Sequence, residues 1–453
     1  MTAPERSNTT TRLPRATIAS YAIGSLGTGG FATLPGLVLV YYLTDTLGVT
    51  ALAAGILVTV AKVWDVIIDP VIGGRSDRDL ARTGSRRRFM VLGAVLLPVF
   101  FVLTFAVPAG MPPVVAGGWV LVAFVLAATA FSLFQVPYIA LPAELSQDYD
   151  ERTRLLTWRV VVLTFAILLF GAGGPVLRSL GGGKTFTGYL LMAVVAGLVI
   201  GAGMFASSFV ARRALVADLS EKPASIRENY AAGIRALQRS QPFRALLATF
   251  LLQGLATGLM LAGAQYVATW VLRSEDAVTF LFIALIAPAL LAAPLWGRIA
   301  NRVGKERGFW WASILFGIAA LSLLGLLWAP GAWIYLPVAL AGAAYAGMQS
   351  LPMAMLPDVI SDDAVAHGDG QAGTFGGMWT AGETTGMALG ATVLTIVLAI
   401  AGYAESVAGV DVVQTPAAIA GIVVSFSVVP AAIIGLSLLS LARYRLRKDT
   451  IAR

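Results

Sequence analysis

The chain of 453 residues has no cysteine and a single histidine, and only 12% of its residues are charged. Without cysteine there are no disulfides, no thiolate metal sites and no thiol chemistry. Soluble domains carry about 25% charged residues, so the shortage of charge argues against a water-soluble fold. Nucleotide and hydrolase motifs are missing as well. Nothing reads G-x-x-x-x-G-K-[ST], and the GGGK at 181–184 has no Ser or Thr after its lysine. ATP hydrolysis is therefore not expected to supply energy. Neither H-E-x-x-H nor G-x-S-x-G occurs, so no enzyme is expected.

What is present is apolar sequence. Hydrophobic residues make up 58% of the chain, and the mean hydropathy is +0.81. A window of about 19 residues predicts twelve spans, near 18–43, 49–73, 89–108, 114–142, 156–178, 186–210, 245–272, 277–297, 309–329, 331–357, 372–402 and 416–441. The expectation is an all-α membrane protein, with the bilayer as a partner. The leading MTAPERSNTTTRLPRA is polar and basic and runs into a span too long for a signal core, so it is expected to be retained.

The net charge of +8 could suggest nucleic acid, but its placement suggests topology. All but five of the 32 Lys and Arg fall in the N-terminus, the tail or alternate connections of one side. The exceptions are Lys62 and Arg159, at or inside spans, and Arg178, Lys184 and Arg273 on the other side. By the positive-inside rule both termini are expected to be cytoplasmic, and no nucleic-acid partner is expected.

The longest polar connection is 211–244. Its Ile226, Tyr230, Ile234 and Leu237 have helical spacing, which predicts a short amphipathic helix on the membrane surface. It separates two similar halves. PVIGGRSDR at 70–78 follows the second span and PLWGRIANRVGKER at 294–307 the eighth. LPAELSQDYD at 141–150 follows the fourth span and LPDVISDD at 356–363 the tenth. Two six-helix halves in parallel repeat predict the major facilitator fold, with a substrate site between halves near the midplane. The expected organisation is a terminus 1–17, a half 18–210, a central loop 211–244, a half 245–441 and a tail 442–453.

One stretch stands out, KVWDVIIDPVIGGRSDR at 62–78. Asp65 and Asp69 lie four apart in an apolar span, on one helix face, with Lys62 three residues earlier. An ionised carboxylate in hydrocarbon costs at least ~2.5 kcal/mol. The pair therefore needs a partner, a proton, a metal ion or water. One reading is a site for a coupling cation, Na⁺ or H⁺; the other is a structural ion pair between Lys62 and one Asp.

Four motifs give the chain a resemblance. W-D-x-x-x-D-P at 64–70 leads into G-x-x-x-D-R and a basic cluster. VPYIALPAELSQDYDERTR closes the fourth span, MLPDVISDD the tenth, and FGGMWTAGETTGMALG opens the eleventh. Together they are similar to the glycoside–pentoside–hexuronide:cation symporter family, of the melibiose-permease type, over nearly the whole chain. The resemblance implies secondary transport by alternating access, in which a cation, Na⁺ or H⁺, is carried with a small organic solute such as a sugar or glycoside. It implies a cation site at Asp65 and Asp69, a basic neighbour at Lys62 and an arginine near the substrate cavity at Arg159. Arg159 could equally be an interfacial anchor. No cofactor is expected beyond the coupling ion. The expected location is the cell membrane, the inner membrane in a bacterium, and the expected state a monomer.

The departures bear on the substrate. Sugar-contacting positions of the family correspond to Gly29, Gln135, Ile139 and Thr384, so three charges and an aromatic platform are missing. That favours a less polar or bulkier solute, a lysolipid included; a non-transporting receptor is the further alternative. Glu383, the only acid deep in the eleventh span, is a candidate cation ligand, proton carrier or partner of Lys62 or Arg159. Gln253, Gln265, Tyr266 and Gln349 could line the cavity or pack between helices. His367 is expected in a solvated loop. Asp77, Arg78 and Arg86 in the loop after the second span are expected to form a cytoplasmic gate, supported by Arg87 and Arg88.

Overall fold

The computed structural model describes residues 12–146, 148–213, 233–235, 237–367, 372–410 and 412–446. Among them, twelve helical segments are long and apolar enough to cross a membrane. The first is broken into α1 (Arg15–Ala22) and α2 (Ser25–Asp45). At the break a Cβ on Gly24 would collide with Ser207 and Tyr138, so only glycine lets these helices approach. There follow α3 (Ala51–Thr83), α4 (Arg87–Phe105), α5 (Pro113–Leu145), α6 (Tyr149–Leu180) and α7 (Phe186–Ser208). The second set is α8 (Gln241–Tyr266), α9 (Ala277–Val303), α10 (Lys305–Ser322), α11 (Tyr335–His367) and α12 (Ala372–Ile400). The last span is α13 (Pro416–Phe426) and α14 (Val428–Leu441), interrupted at Ser427. Large apolar side chains such as Phe280 and Leu291 stay exposed on the outside, as a lipid-facing surface requires.

Two expectations are corrected. The helix after the second span does not end near residue 73. It continues through Arg75, Asp77 and Arg78 to Thr83 and stops at Gly84, whose φ of 70° places it in the left-handed region. Asp77 and Arg78 are therefore helical, not in a loop. Likewise α11 runs on to His367, so the expected loop begins later. Most of the expected surface helix, including Ile226 and Tyr230, lies outside the described residues.

Within each set, neighbours pack closely: α4 against α5 and α7, α2 against α6, α8 against α12 and α14, and α11 against α9 and α10. The two sets meet along α3–α12, α6–α9 and α2–α8. Along α3–α12 the contact is tight at one end. Thr59 and Thr392 share a hydrogen bond of 2.5 Å, and a side chain at Gly55 would strike Thr395. Toward the other end, a Cβ on Gly74, Gly376 or Gly377 would meet nothing within 4 Å.

The end where the sets meet is the one opposite the basic connections. There Thr44 shares a 2.6 Å bond with the Tyr266 hydroxyl, and the backbone N–H groups of Ser406 and Ala408 donate to the carbonyls of Thr44 and Thr46. The guanidinium of Arg178, fully enclosed, meets Glu275 at 3.4 Å and lies over the rings of Tyr41 and Tyr189. These bonds join residues of the first set to residues of the second, so this end is sealed.

Candidate functional site

The carboxylate pair is built on α3. Asp65 and Asp69 sit one turn apart, and the Lys62 ammonium reaches Asp65 Oδ2 at 3.2 Å. The side chains of Lys62 and Asp65 are 31% and 16% exposed, so the ion pair stands at the margin of the interior. Beside it the Trp64 indole donates to Thr129 of α5 at 2.8 Å, and Ser132 of α5 faces Asp69. These contacts hold the α3 face against α5. Both Asp65 and Asp69 keep one buried carboxylate oxygen, Oδ1, without a hydrogen-bond partner. A buried acceptor left unpaired costs about 1–3 kcal/mol, so the pair is short of positive charge or donors by two acceptors. A small cation or a proton would meet that shortage.

The other expected residues spread over two further places. A central cavity of about 280 Å³ lies between the two sets of helices, with Thr28 of α2, Leu163 of α6, Phe282 of α9, Tyr345 of α11 and Glu383 of α12 in its wall. Gln135 touches this region indirectly, accepting a 2.7 Å hydrogen bond from Thr28. Gln349 faces Tyr345 one turn along α11. Thr384 is half-buried beside Glu383. Arg159 lies in the third turn of α6, with its guanidinium 5.5 Å above the Tyr138 ring, which itself stacks on Tyr21 at 4.6 Å. It is inside the first set of helices, and the cavity wall does not include it. The suggested partnership of Glu383 with Lys62 or Arg159 is corrected: among the described residues no hydrogen bond or ion pair joins them.

The expected gate residues separate. Arg86 caps the start of α4 and is buried. Its guanidinium reaches Asp77 at 2.6 Å, Glu144 at 2.6 Å and the Ser76 hydroxyl at 2.9 Å. This ties α3, α4 and α5 together at the basic end. Arg78 stays outside it, exposed, and among the described residues donates only to the Gly74 carbonyl of its own helix. Arg87 lies over Phe209 and Arg88 is 3.8 Å from Asp79. Gln253 packs within the second set, donating to Ser313 and Ser437, and Gln265 donates to Thr269.

The sequence reading missed Glu144, Asp45, Tyr403 and the pair Arg178–Glu275. Glu144 stood inside a quoted motif and could have been matched to Arg86. Asp45 closes the first span, where an acid reads as solvated; nothing local reveals its partners.

A family model described as MFS/sugar transport protein matches residues 20–448. The chain belongs to that family. Membership agrees with the resemblance to glycoside–pentoside–hexuronide:cation symporters, and it makes the chain a multi-pass membrane transporter and not an enzyme. The glucuronide carrier protein homolog of Escherichia coli is 25% identical over 424 residues, 91% of this chain and 89% of that protein. The sodium-dependent lysophosphatidylcholine symporter 1 of Mus musculus is 24% identical over 77% of this chain and 70% of its own. Among solved structures, the nucleoside transporter NupG superposes with a TM-score of 0.64 at 13% identity, covering 95% of this chain and 97% of that one. At that identity the likeness concerns the fold alone.

Proposed function

We propose that the protein is a cation-coupled symporter that moves a small organic solute through the central cavity by alternating access, with Asp65 and Asp69 binding the coupling ion, Na⁺ or H⁺. The observation that carries this reading is the pair of buried, unpartnered carboxylate oxygens on α3. Intramembrane ionisable groups are functional by default, and these two lie one turn apart, where one monovalent cation together with the Lys62 ammonium balances both carboxylates. Filling the pair lowers the electrostatic cost of closing the cavity around it. The sets 18–210 and 245–441 then rock against one another, with both termini on the cytoplasmic side and the Arg86–Asp77–Glu144 cluster bracing the cytoplasmic end. The relatives named as a glucuronide carrier and as a sodium-dependent symporter support an organic solute as cargo and a cation as its driver.

The test needs no known solute. Thermal stability of the purified protein is recorded against NaCl, with KCl and choline chloride as controls, at several pH values. A ligand of the folded state raises stability by RT ln(1 + [L]/Kd). A rise specific to Na⁺ that disappears in Asp65→Asn supports sodium coupling. A pH-dependent stability lost in the same variant supports proton coupling. If neither ion acts through Asp65, the coupling assignment is wrong.

A further inference from the structure

The wall of the central cavity is unlike a sugar site. Among the described residues it is built mostly from leucine, isoleucine, methionine, alanine and phenylalanine of both sets of helices, with Thr28, Thr33, Thr257 and Tyr345 as its hydroxyls and Glu383 as its one carboxyl group. Among the described residues no lysine, arginine, asparagine, glutamine or aspartate belongs to it. Two of its hydroxyls have already committed their hydrogens, Thr28 to Gln135 and Thr257 to carbonyls of its own helix. A polyhydroxylated solute has many donors and acceptors to satisfy on every face, and this wall leaves most of them unpaired.

Glu383 differs from the paired ionisable groups of the interior. Lys62 and Asp65 hold each other, Arg178 meets Glu275, and Asp45 accepts from Tyr403. Among the described residues Glu383 has no hydrogen-bond or ion-pair partner. It is a half-buried carboxylate facing an apolar space, and the rings of Phe282, Phe316, Tyr345 and Phe426 share that space. A single acid with several aromatic faces is the chemistry that recognises an organic ammonium. The carboxylate supplies the charge-assisted hydrogen bond, and the rings supply cation–π attraction and apolar contact. An anionic solute meets repulsion from the same carboxylate.

We infer that the solute is a small apolar molecule carrying one cationic amine, bound in the central cavity with its ammonium on Glu383. This rests on the reading of that cavity as the transport site. It is independent of which ion fills Asp65 and Asp69.

The experiment measures binding of three matched probes, 4-phenylbutylamine, 4-phenylbutanol and 4-phenylbutyrate, with glucuronic acid as the sugar comparison. Each is titrated by calorimetry and by thermal shift into the purified full-length chain. The expected result is saturable binding of the amine, with the alcohol and the carboxylate at least tenfold weaker and glucuronic acid showing none. Glu383→Gln should weaken the amine at least tenfold. Equal binding of amine and alcohol overturns the inference, as does binding of glucuronic acid in preference to the amine. Amine affinity unchanged in Glu383→Gln does the same. The wild-type probe series decides the matter even if that variant does not fold. Failure of the coupling reading looks different: the ion response is absent while the amine still binds.

Discussion

The Tyr403 hydroxyl donates a 2.6 Å hydrogen bond to the carboxylate of Asp45, which is wholly excluded from solvent. Asp45 ends α2 in the first set of helices, and Tyr403 follows α12 in the second. The other oxygen of Asp45 accepts from Thr44 at 2.6 Å, and Thr44 in turn bonds Tyr266. Opening the sealed end separates Tyr403 from a carboxylate that then needs water.

Removing that donor therefore favours the state open at this end. A hydrogen bond contributes about 0.5–1.5 kcal/mol net, so Tyr403→Phe should raise the open-to-closed ratio roughly two- to tenfold. The chain has no cysteine, so spin labels go only where cysteines are introduced. Val114 and Val413, both highly exposed, belong to different sets and lie at this end. A distance measurement between labels there should gain a longer population in Tyr403→Phe. An unchanged distribution would show that the bond does not hold the halves together.

At the basic end, Arg86 is the residue on which the ionic cluster depends. Arg86→Met leaves the buried Glu144 carboxylate with no counter-charge, and breaking a buried pair costs roughly 3–5 kcal/mol. A marked fall in melting temperature is expected in detergent. Arg78→Met, on an exposed side chain bonded only within its own helix, should leave the melting temperature where it was. Equal losses in the two variants would mean that the cluster is not what stabilises this end.

Lys62 competes with any cation for Asp65, because its ammonium already occupies Oδ2 at 3.2 Å. Lys62→Gln removes the competitor and keeps a donor of similar length. The midpoint for Na⁺ in the thermal-stability titration should move severalfold lower, or, with proton coupling, the pH midpoint should move upward. Weaker ion binding in this variant would make Lys62 a helper of the site and not a rival.

The twelve spans were legible because hydrocarbon imposes a length of apolar sequence that few other environments demand. The same signal fixes where a span leaves the bilayer, not where its helix stops. That is why α3 and α11 run on past the expected ends, with charged residues such as Arg75 and Asp362 exposed along the extensions. Gly84 was the available stop signal. Asp65, Asp69 and Lys62 were legible for a related reason: a charge inside an apolar run is conspicuous. Asp45 was not, since its burial is created by Tyr403 and Ser406, more than 350 positions away. Arg86–Glu144 has a counterpart in Lys305–Asp358 at 2.6 Å, at corresponding places in the second half. The repeated motifs pointed to these segments without saying which side chains would meet.

The close approach of Gly55 to Thr395 has a mechanical side. It fixes α3 to α12 at one point, while Asp69 lies fourteen residues further along α3, about 21 Å at 1.5 Å per residue. A helix held at that point acts as a lever with the carboxylates near its moving arm. A tilt of roughly 10° about Gly55 carries Asp69 through nearly 4 Å on that geometry. The missing side chain at position 55 thus lets α3 and α12 meet at one point, and the carboxylates lie on the arm that any change of angle there carries furthest.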